Sequence, residues 1–199
     1  INVLGLLTVL HQSVSHMTGN VSVLAMSLVH WQPESILYLL LVTVCYVIGS
    51  FYSGVILGNS HFRLGRRYGV PLTLVAFFIF LCWFFLPYFP RYALLWACVA
   101  MGVQNAMVSH YKGTIIRTTH LSGVLTDLGL ALGYRVRGLV VERRRVVLHL
   151  LILSGFLIGG LCASWMYPYL KLNSFLVPTA LSLILSVVYW IIYFRYRRF

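Results

Sequence analysis

Long apolar runs alternate with short polar or basic breaks along almost the whole chain. Five runs stand out: Ser35–Gly58, Val70–Leu86, Tyr92–Val108, Val147–Met166 and Phe175–Phe194. Each has the length of a helix that crosses roughly 30 Å of hydrocarbon at about 1.5 Å per residue. A sixth apolar segment fills the first thirty residues and is interrupted by polar side chains. The pattern predicts helices throughout, with the interruptions as the places to look for chemistry.

One interruption occurs twice. Ser15-His16-Met17-Thr18-Gly19-Asn20-Val21-Ser22-Val23-Leu24 returns 104 positions later as Thr119-His120-Leu121-Ser122-Gly123-Val124-Leu125-Thr126-Asp127-Leu128. His, Gly and Leu are identical in register, and most other pairs are chemically alike. Two further matches follow in the same order. Ile48-Gly49-Ser50 corresponds to Ile158-Gly159-Gly160, and Val70-Pro71 with Trp83 corresponds to Val177-Pro178 with Trp190. Gly and Ser at these places let helices approach closely in lipid. The Pro residues read as first-turn residues and the Trp residues as interfacial anchors. A duplicated supersecondary unit accounts for all three matches.

The chain therefore reads as an all-α polytopic membrane protein. A single membrane domain, 1–199, comprises repeat one (1–89) and repeat two (90–199), each a discontinuous segment followed by two spans. Asn2 matches Asn105, so the register implies that about a dozen or more residues of the first helix precede Ile1. An odd number of segments per unit makes the two units inverted, as in many secondary transporters. The stretch Val124–Tyr134 would reach only about 16 Å as a helix, which argues for a half-helix rather than a span.

Composition and charge support this plan. Of 199 residues, 60% are hydrophobic and 9% charged, with a mean hydropathy of +0.89, which is far more apolar than a soluble domain needs. The net charge of +12 comes largely from Arg clusters beside span ends: Arg63/Arg66/Arg67, Arg135/Arg137, Arg143–Arg145 and Arg195/Arg197/Arg198. This is the loop asymmetry that marks the cytoplasmic side, and it explains the basic balance without nucleic acid. With His61–Arg67, Arg135–Arg145 and the C-terminus inside, Pro87–Arg91 and Tyr167–Asn173 lie outside. Cys45, Cys82, Cys98 and Cys162 fall within spans, lack metal spacing, and read as small buried apolar residues.

Each knot is expected to break a helix at Gly and restart it just after. Thr18 or Asn20 would cap Val21–Val29, and Ser122 would cap Val124–Leu132. The β-branched run Thr114–Thr119 before the second knot suits extended backbone. Irregular backbone at membrane depth is tolerated where it lines a cavity or is buried in protein. The exposed N–H groups of a half-helix start attract anions or carbonyl dipoles. The candidate solute-binding residues are accordingly His16, Thr18, Gly19, Asn20, Asn105, His120, Ser122 and Gly123. The bland alternative makes both His residues interhelical hydrogen-bond glue and the hydroxyls simple caps. Asp127, the only acid within a membrane segment, is a candidate coupling residue for protons or cations. Its alternative role is a salt bridge to Arg117 or Arg135. Asn2, Gln104, His11 and Gln12 sit near the same breaks. No metal motif and no nucleophile–base spacing stands out, so neither a metal or cofactor nor an enzyme is expected.

The residues Ser15-His16-Met17-Thr18-Gly19-Asn20, Gln104-Asn105-Ala106 and Arg117 through Leu128 resemble the YoaK-type family of bacterial inner-membrane proteins. That is a domain-of-unknown-function family, and the likeness covers essentially the whole chain. It implies a multi-pass protein of the bacterial cytoplasmic membrane and brings no substrate or catalytic residue with it. From the residues themselves, the expected function is a small secondary transporter for an anionic or carbonyl-bearing solute. The alternative is a non-transporting scaffold or sensor subunit that binds a partner or anionic lipid through its Arg-rich loops. Membrane lipids are partners in both readings, and a homo-oligomer is compatible with either.

Overall fold

The computed structural model describes residues 1–8, 13–58, 66–108 and 119–196. Within them the chain forms α1 (Asn2–Leu7), α2 (Met17–Val29), α3 (Pro33–Leu57), α4 (Arg66–Phe85), α5 (Pro90–Val108), α6 (Leu121–Val136), α7 (Arg143–Leu170) and α8 (Leu176–Tyr196), with a 3-10 turn, Lys171–Phe175, leading into α8. The five expected apolar runs correspond to α3, α4, α5, α7 and α8, with ends displaced by at most four residues. Among the described residues, three stretches are long and apolar enough to cross a membrane: Pro33–Leu57, Tyr68–Phe85 and Arg143–Arg195, the last containing both α7 and α8. Large apolar side chains such as Val47, Phe51, Val55, Leu157, Leu161 and Trp165 remain exposed along these helices, as lipid-facing surfaces require.

The core is built around α5. Its residues are apolar on all sides and small at many, and Ala93, Leu94, Ala97, Cys98, Ala100, Met101 and Val103 are all buried. A helix of this kind belongs inside a bundle. α3 and α4 pack on it from two directions, and α4 packs in turn on α8. The α3–α5 contact is backbone to backbone. A Cβ on Gly49 would collide with the Val99 carbonyl oxygen, and one on Gly102 with that of Tyr46. Ser50 Oγ adds a hydrogen bond to the Gly102 carbonyl at 3.2 Å. The close approach expected from Ile48-Gly49-Ser50 is therefore present, and it docks α3 on α5.

α4 and α8 run antiparallel. Near the start of α4, Gly69 lies under Trp190, whose indole N–H donates to Thr73 Oγ1 at 3.1 Å; Thr73 also meets Ser186 Oγ at 2.8 Å. At the other end of α4, Trp83 donates to Asn173 Oδ1, in the turn before α8, at 3.2 Å. The matched Trp residues thus each reach the opposite helix's beginning, rather than serving only as interfacial anchors. Two other expectations need correcting. Pro71 lies inside α4, behind a full turn that begins at Arg66, whereas Pro178 is the third residue of α8 and sits in its first turn as expected. Of the four cysteines, Cys82 and Cys98 are buried and Cys45 half-buried, but Cys162 is exposed, because its face of α7 has no neighbour.

Candidate functional site

Both knots restart their helices at the same residue, and it is not the expected one. α2 begins at Met17 and α6 at Leu121, each directly after a His in the N-cap position. His16 has φ −87 and ψ 68, and His120 has φ −95 and ψ 70. Thr18, Asn20 and Ser122 are consequently not caps. Gly19 and Gly123 lie within first turns, and the helices run over 13 and 16 residues, about 20 and 24 Å. These lengths exceed the half-helices expected over Val21–Val29 and Val124–Leu132. No side-chain hydrogen bond caps either start.

What fixes the His backbone is the residue before it. In repeat one, Asn2 brackets Ser15: its amide donates to Ser15 Oγ at 2.7 Å, and its oxygen accepts the Ser15 N–H at 2.9 Å. In repeat two, Asn105 donates to Thr119 Oγ1 at 2.8 Å and to Tyr46 Oη on α3 at 2.9 Å. Ser15 and Asn105 are buried, where a polar group must find a partner. The amide of the preceding helix therefore pins the hydroxyl, which sets the turn that presents the His. The duplication continues inside the helices, where Ser22 donates to the Thr18 carbonyl and Thr126 to the Ser122 carbonyl, both at 2.9 Å.

The remaining residues divide by repeat. Asn20 is buried and donates to the Ser13 carbonyl at 3.2 Å, a tie that Val124 cannot make in repeat two. Gly19 leaves room for the His16 ring, since a Cβ there would come within 2.7 Å of Nδ1. Gly123 faces open space. His16, Thr18, Ser122 and Gly123 are exposed, and His120 is half-buried. α2 is placed by α3, and α6 by α7. His11, Gln12, Arg117 and the run Thr114–Thr118 lie outside the described residues.

Asp127 faces α7. Its Oδ2 accepts from Arg145 Nη2 at 3.1 Å and lies 3.4 Å from His149 Nε2. A salt bridge, the alternative role expected for this acid, is thus made with Arg145, one helix on, rather than with Arg135, while Arg117 lies outside the described residues. Arg135 is in the last turn of Asp127's own helix, eight positions away and beyond the neighbouring turn. His149 is buried and was not singled out by its sequence context, which is a plain apolar helix. Its one legible signal was position: a His inside a membrane segment calls for a partner. Tyr46 was missed for the same reason, being one aromatic among many. Among the described residues, no three metal-ligating side chains come together.

A helical chain with membrane-length apolar stretches, two His-started helices on matching frames and Asp127 paired with Arg145 defines the class. The particular family follows from comparison. A family model described as Protein of unknown function (DUF1275) matches residues 1–188, and the chain belongs to that family. The resemblance carried by the two His motifs is thereby borne out. No curated protein and no solved structure matches the chain.

Proposed function

We propose that this protein is a small secondary transporter of the bacterial cytoplasmic membrane, built from two inverted units and carrying a small anionic or carbonyl-bearing solute. The observation that carries the reading is the exchange of contacts between units. α3 packs on α5 of the other unit while α7 packs on α1; α2 packs on α3 while α6 packs on α7; and α4 packs antiparallel on its own counterpart, α8. Equivalent helices running in opposite directions are the signature of a two-fold axis in the membrane plane. Such an architecture supplies two related arrangements of the same parts, which alternating access requires.

The solute class follows from the two helix starts. Each offers backbone N–H groups without a side-chain cap, at the positive end of a helix dipole and beside a His. Thr18 and Ser122 add hydroxyls, while Asn105 and Asn20 hold the frame. Reconstituted protein should catalyse flux of a small carboxylate or carbonyl compound into liposomes. No flux across a broad panel of such solutes would sink the reading. Topology provides a second check. Cysteine labelling should place Arg135–Arg145 and Pro87–Arg91 on opposite sides, and finding them on the same side would exclude inverted units.

A second reading rests on the corner between α6 and α7. Arg135, Arg137 and Arg143–Arg145 are exposed there around the Gly138 turn (φ +72), with Val136 and Val140 almost fully exposed among them. A scaffold or sensor subunit would use this surface on a partner or on anionic lipid. Stable co-purification with one partner, lost on changing Arg143–Arg145, would favour that reading.

A further inference from the structure

Repeat two carries an extension that repeat one lacks. α3 begins 16 positions after the start of α2, whereas α7 begins 22 positions after the start of α6, so the second corner is six residues longer. The shared frame does without these residues, and their apolar side chains are left uncovered. Val136 is 89% exposed and Val140 99%, with Leu139 about half exposed between them. Of the eleven residues from Arg135 to Arg145, five are Arg and one is Glu. Arg145 meets Asp127. Among the described residues Arg135, Arg137, Arg143 and Arg144 form no ion pair, and neither does Glu142.

The depth of this corner follows from the frame. Thr119 is tied through Asn105 to Tyr46, which lies at the middle of α3. Asp127 meets α7 at Arg145 and His149, so α6 and α7 run side by side toward the corner. α6 extends about 24 Å from the His120 start, and the hydrocarbon on each side of a bilayer's midplane is about 15 Å deep. The corner therefore reaches the headgroups, where Arg meets phosphate oxygens and the neighbouring Val and Leu side chains meet acyl chains.

We propose that the α6–α7 corner is a binding surface for anionic phospholipid. The inference rests on the second reading above, whose surface it assigns to one ligand. A guanidinium binds a phosphate through two parallel N–H bonds. Val136, Leu139 and Val140 enter the acyl boundary beside it, as the apolar part of an interfacial anchor does. A zwitterionic headgroup carries its own cation next to the phosphate, so the free Arg side chains favour lipids of net negative charge. A soluble acidic partner would have to displace those phosphates to reach the same side chains. The matching corner of repeat one differs in kind: His30-Trp31-Gln32 holds no Arg or Lys and presents Trp31, 77% exposed. With inverted units the two corners lie on opposite faces, which confines the lipid site to one leaflet.

A fluorophore at Val140→Cys tests this in phosphatidylcholine nanodiscs, with quenching by lipids brominated on their acyl chains. Cys162→Ser and Cys45→Ala remove the accessible native thiols, and Cys82 and Cys98 are buried. Brominated phosphatidylglycerol, at about one-tenth of the lipid, should quench about threefold more than brominated phosphatidylcholine at the same fraction. The preference should disappear in the quadruple variant Arg135→Gln, Arg137→Gln, Arg143→Gln and Arg144→Gln, and shrink in about 0.5 M salt. Arg145 is kept, since it holds Asp127. A fluorophore at Leu157→Cys, exposed on α7 away from the corner, should be quenched equally by both lipids. Equal quenching by both at Val140→Cys, a preference that survives in the folded quadruple variant, or a label that neither lipid reaches would overturn the proposal. Co-purification is scored separately. Anionic preference in a protein that retains no partner keeps the lipid site and removes the scaffold. A partner lost on changing Arg143–Arg145, without any lipid preference, removes the lipid site and keeps the scaffold.

Discussion

The two units share a frame but not a chemistry. Both start a helix behind a His of the same backbone conformation, and both pin the preceding hydroxyl with an Asn from the helix before it. Both return a hydroxyl to the carbonyl one turn back. Where repeat two has Asp127, repeat one has Val23; where α7 has Arg145 and His149, the matched positions of α3 are Ser35 and Leu39. Duplicated features are thus those that shape backbone, and the ionic cluster is an addition to one copy. A pair of identical halves can provide two equivalent states, but only an unequal feature can bias the choice between them.

The largest effect should come from matched glycines with unmatched surroundings. Gly49 and Gly102 each lie against a carbonyl of the facing helix, whereas Gly159, the counterpart of Gly49, has nothing within 4 Å. Gly49→Ala should destabilise the bundle by about 3 kcal/mol or more, or prevent folding, because two backbones must part. Gly159→Ala should be neutral or slightly stabilising, since it raises helix propensity in open space. Thermal melts in detergent, followed by size exclusion, compare them. Equal loss at both sites would mean that α7 has a close neighbour after all.

Next come the amide brackets. Asn105 is buried and holds two hydroxyls on separate segments, while Asn2 is half-buried and holds Ser15 alone. Asn105→Ala should cost about 2–3 kcal/mol, since Thr119 and Tyr46 lose a partner together, and Asn2→Ala about 1–2 kcal/mol. Tyr46→Phe separates the two halves of the larger figure. If it costs as much as Asn105→Ala, the Thr119 bond contributes nothing.

Much of this frame was readable before any coordinates, and the reasons are physical. Spans announce themselves because lipid demands about twenty apolar residues, and Gly49-Ser50 shows close packing because little else permits it. The helix starts were misplaced for an equally definite reason. Capping preferences describe helices that begin in water, where Thr, Ser and Asn side chains satisfy the first N–H groups. Here Ser15 and Thr119 are committed to Asn2 and Asn105, so the turn is set just before the His, which inherits the cap position two or more residues ahead of the expected cap. The partners of Asp127 were hidden because the α6–α7 corner, not sequence proximity, brings residues 18 and 22 positions away onto one oxygen.

A smaller stability effect is expected at the feature that differs most. Asp127→Asn removes the carboxylate from Arg145 and His149, yet Asp127 is 34% and Arg145 54% exposed. Solvent screens such a pair, so the loss should be about 1 kcal/mol, well below the 3–5 kcal/mol of a buried pair broken on one side. Val23→Asp, which gives repeat one an acid without its cations, should cost at least as much. Melting both variants side by side checks this. A loss above about 3 kcal/mol for Asp127→Asn would make the cluster a structural clamp and weaken its claim to a coupling role.

The smallest stability effect, and the sharpest functional one, concerns the two His residues. His16 is exposed and His120 half-buried, and neither caps its helix with its side chain. His16→Ala should change stability by no more than about 0.5 kcal/mol and His120→Ala by about 1 kcal/mol, the range of substitutions away from a packed core. If the helix starts receive the solute, each variant should nonetheless reduce flux by about tenfold or more, the loss of one hydrogen bond or charge contact worth about 1.4 kcal/mol. Comparable losses of flux would join the two knots in a single path. Loss only in His120→Ala would restrict the site to repeat two, where the acid is. A fall in melting temperature that tracks the fall in flux, in both variants, would return the His residues to the role of hydrogen-bond glue between helices.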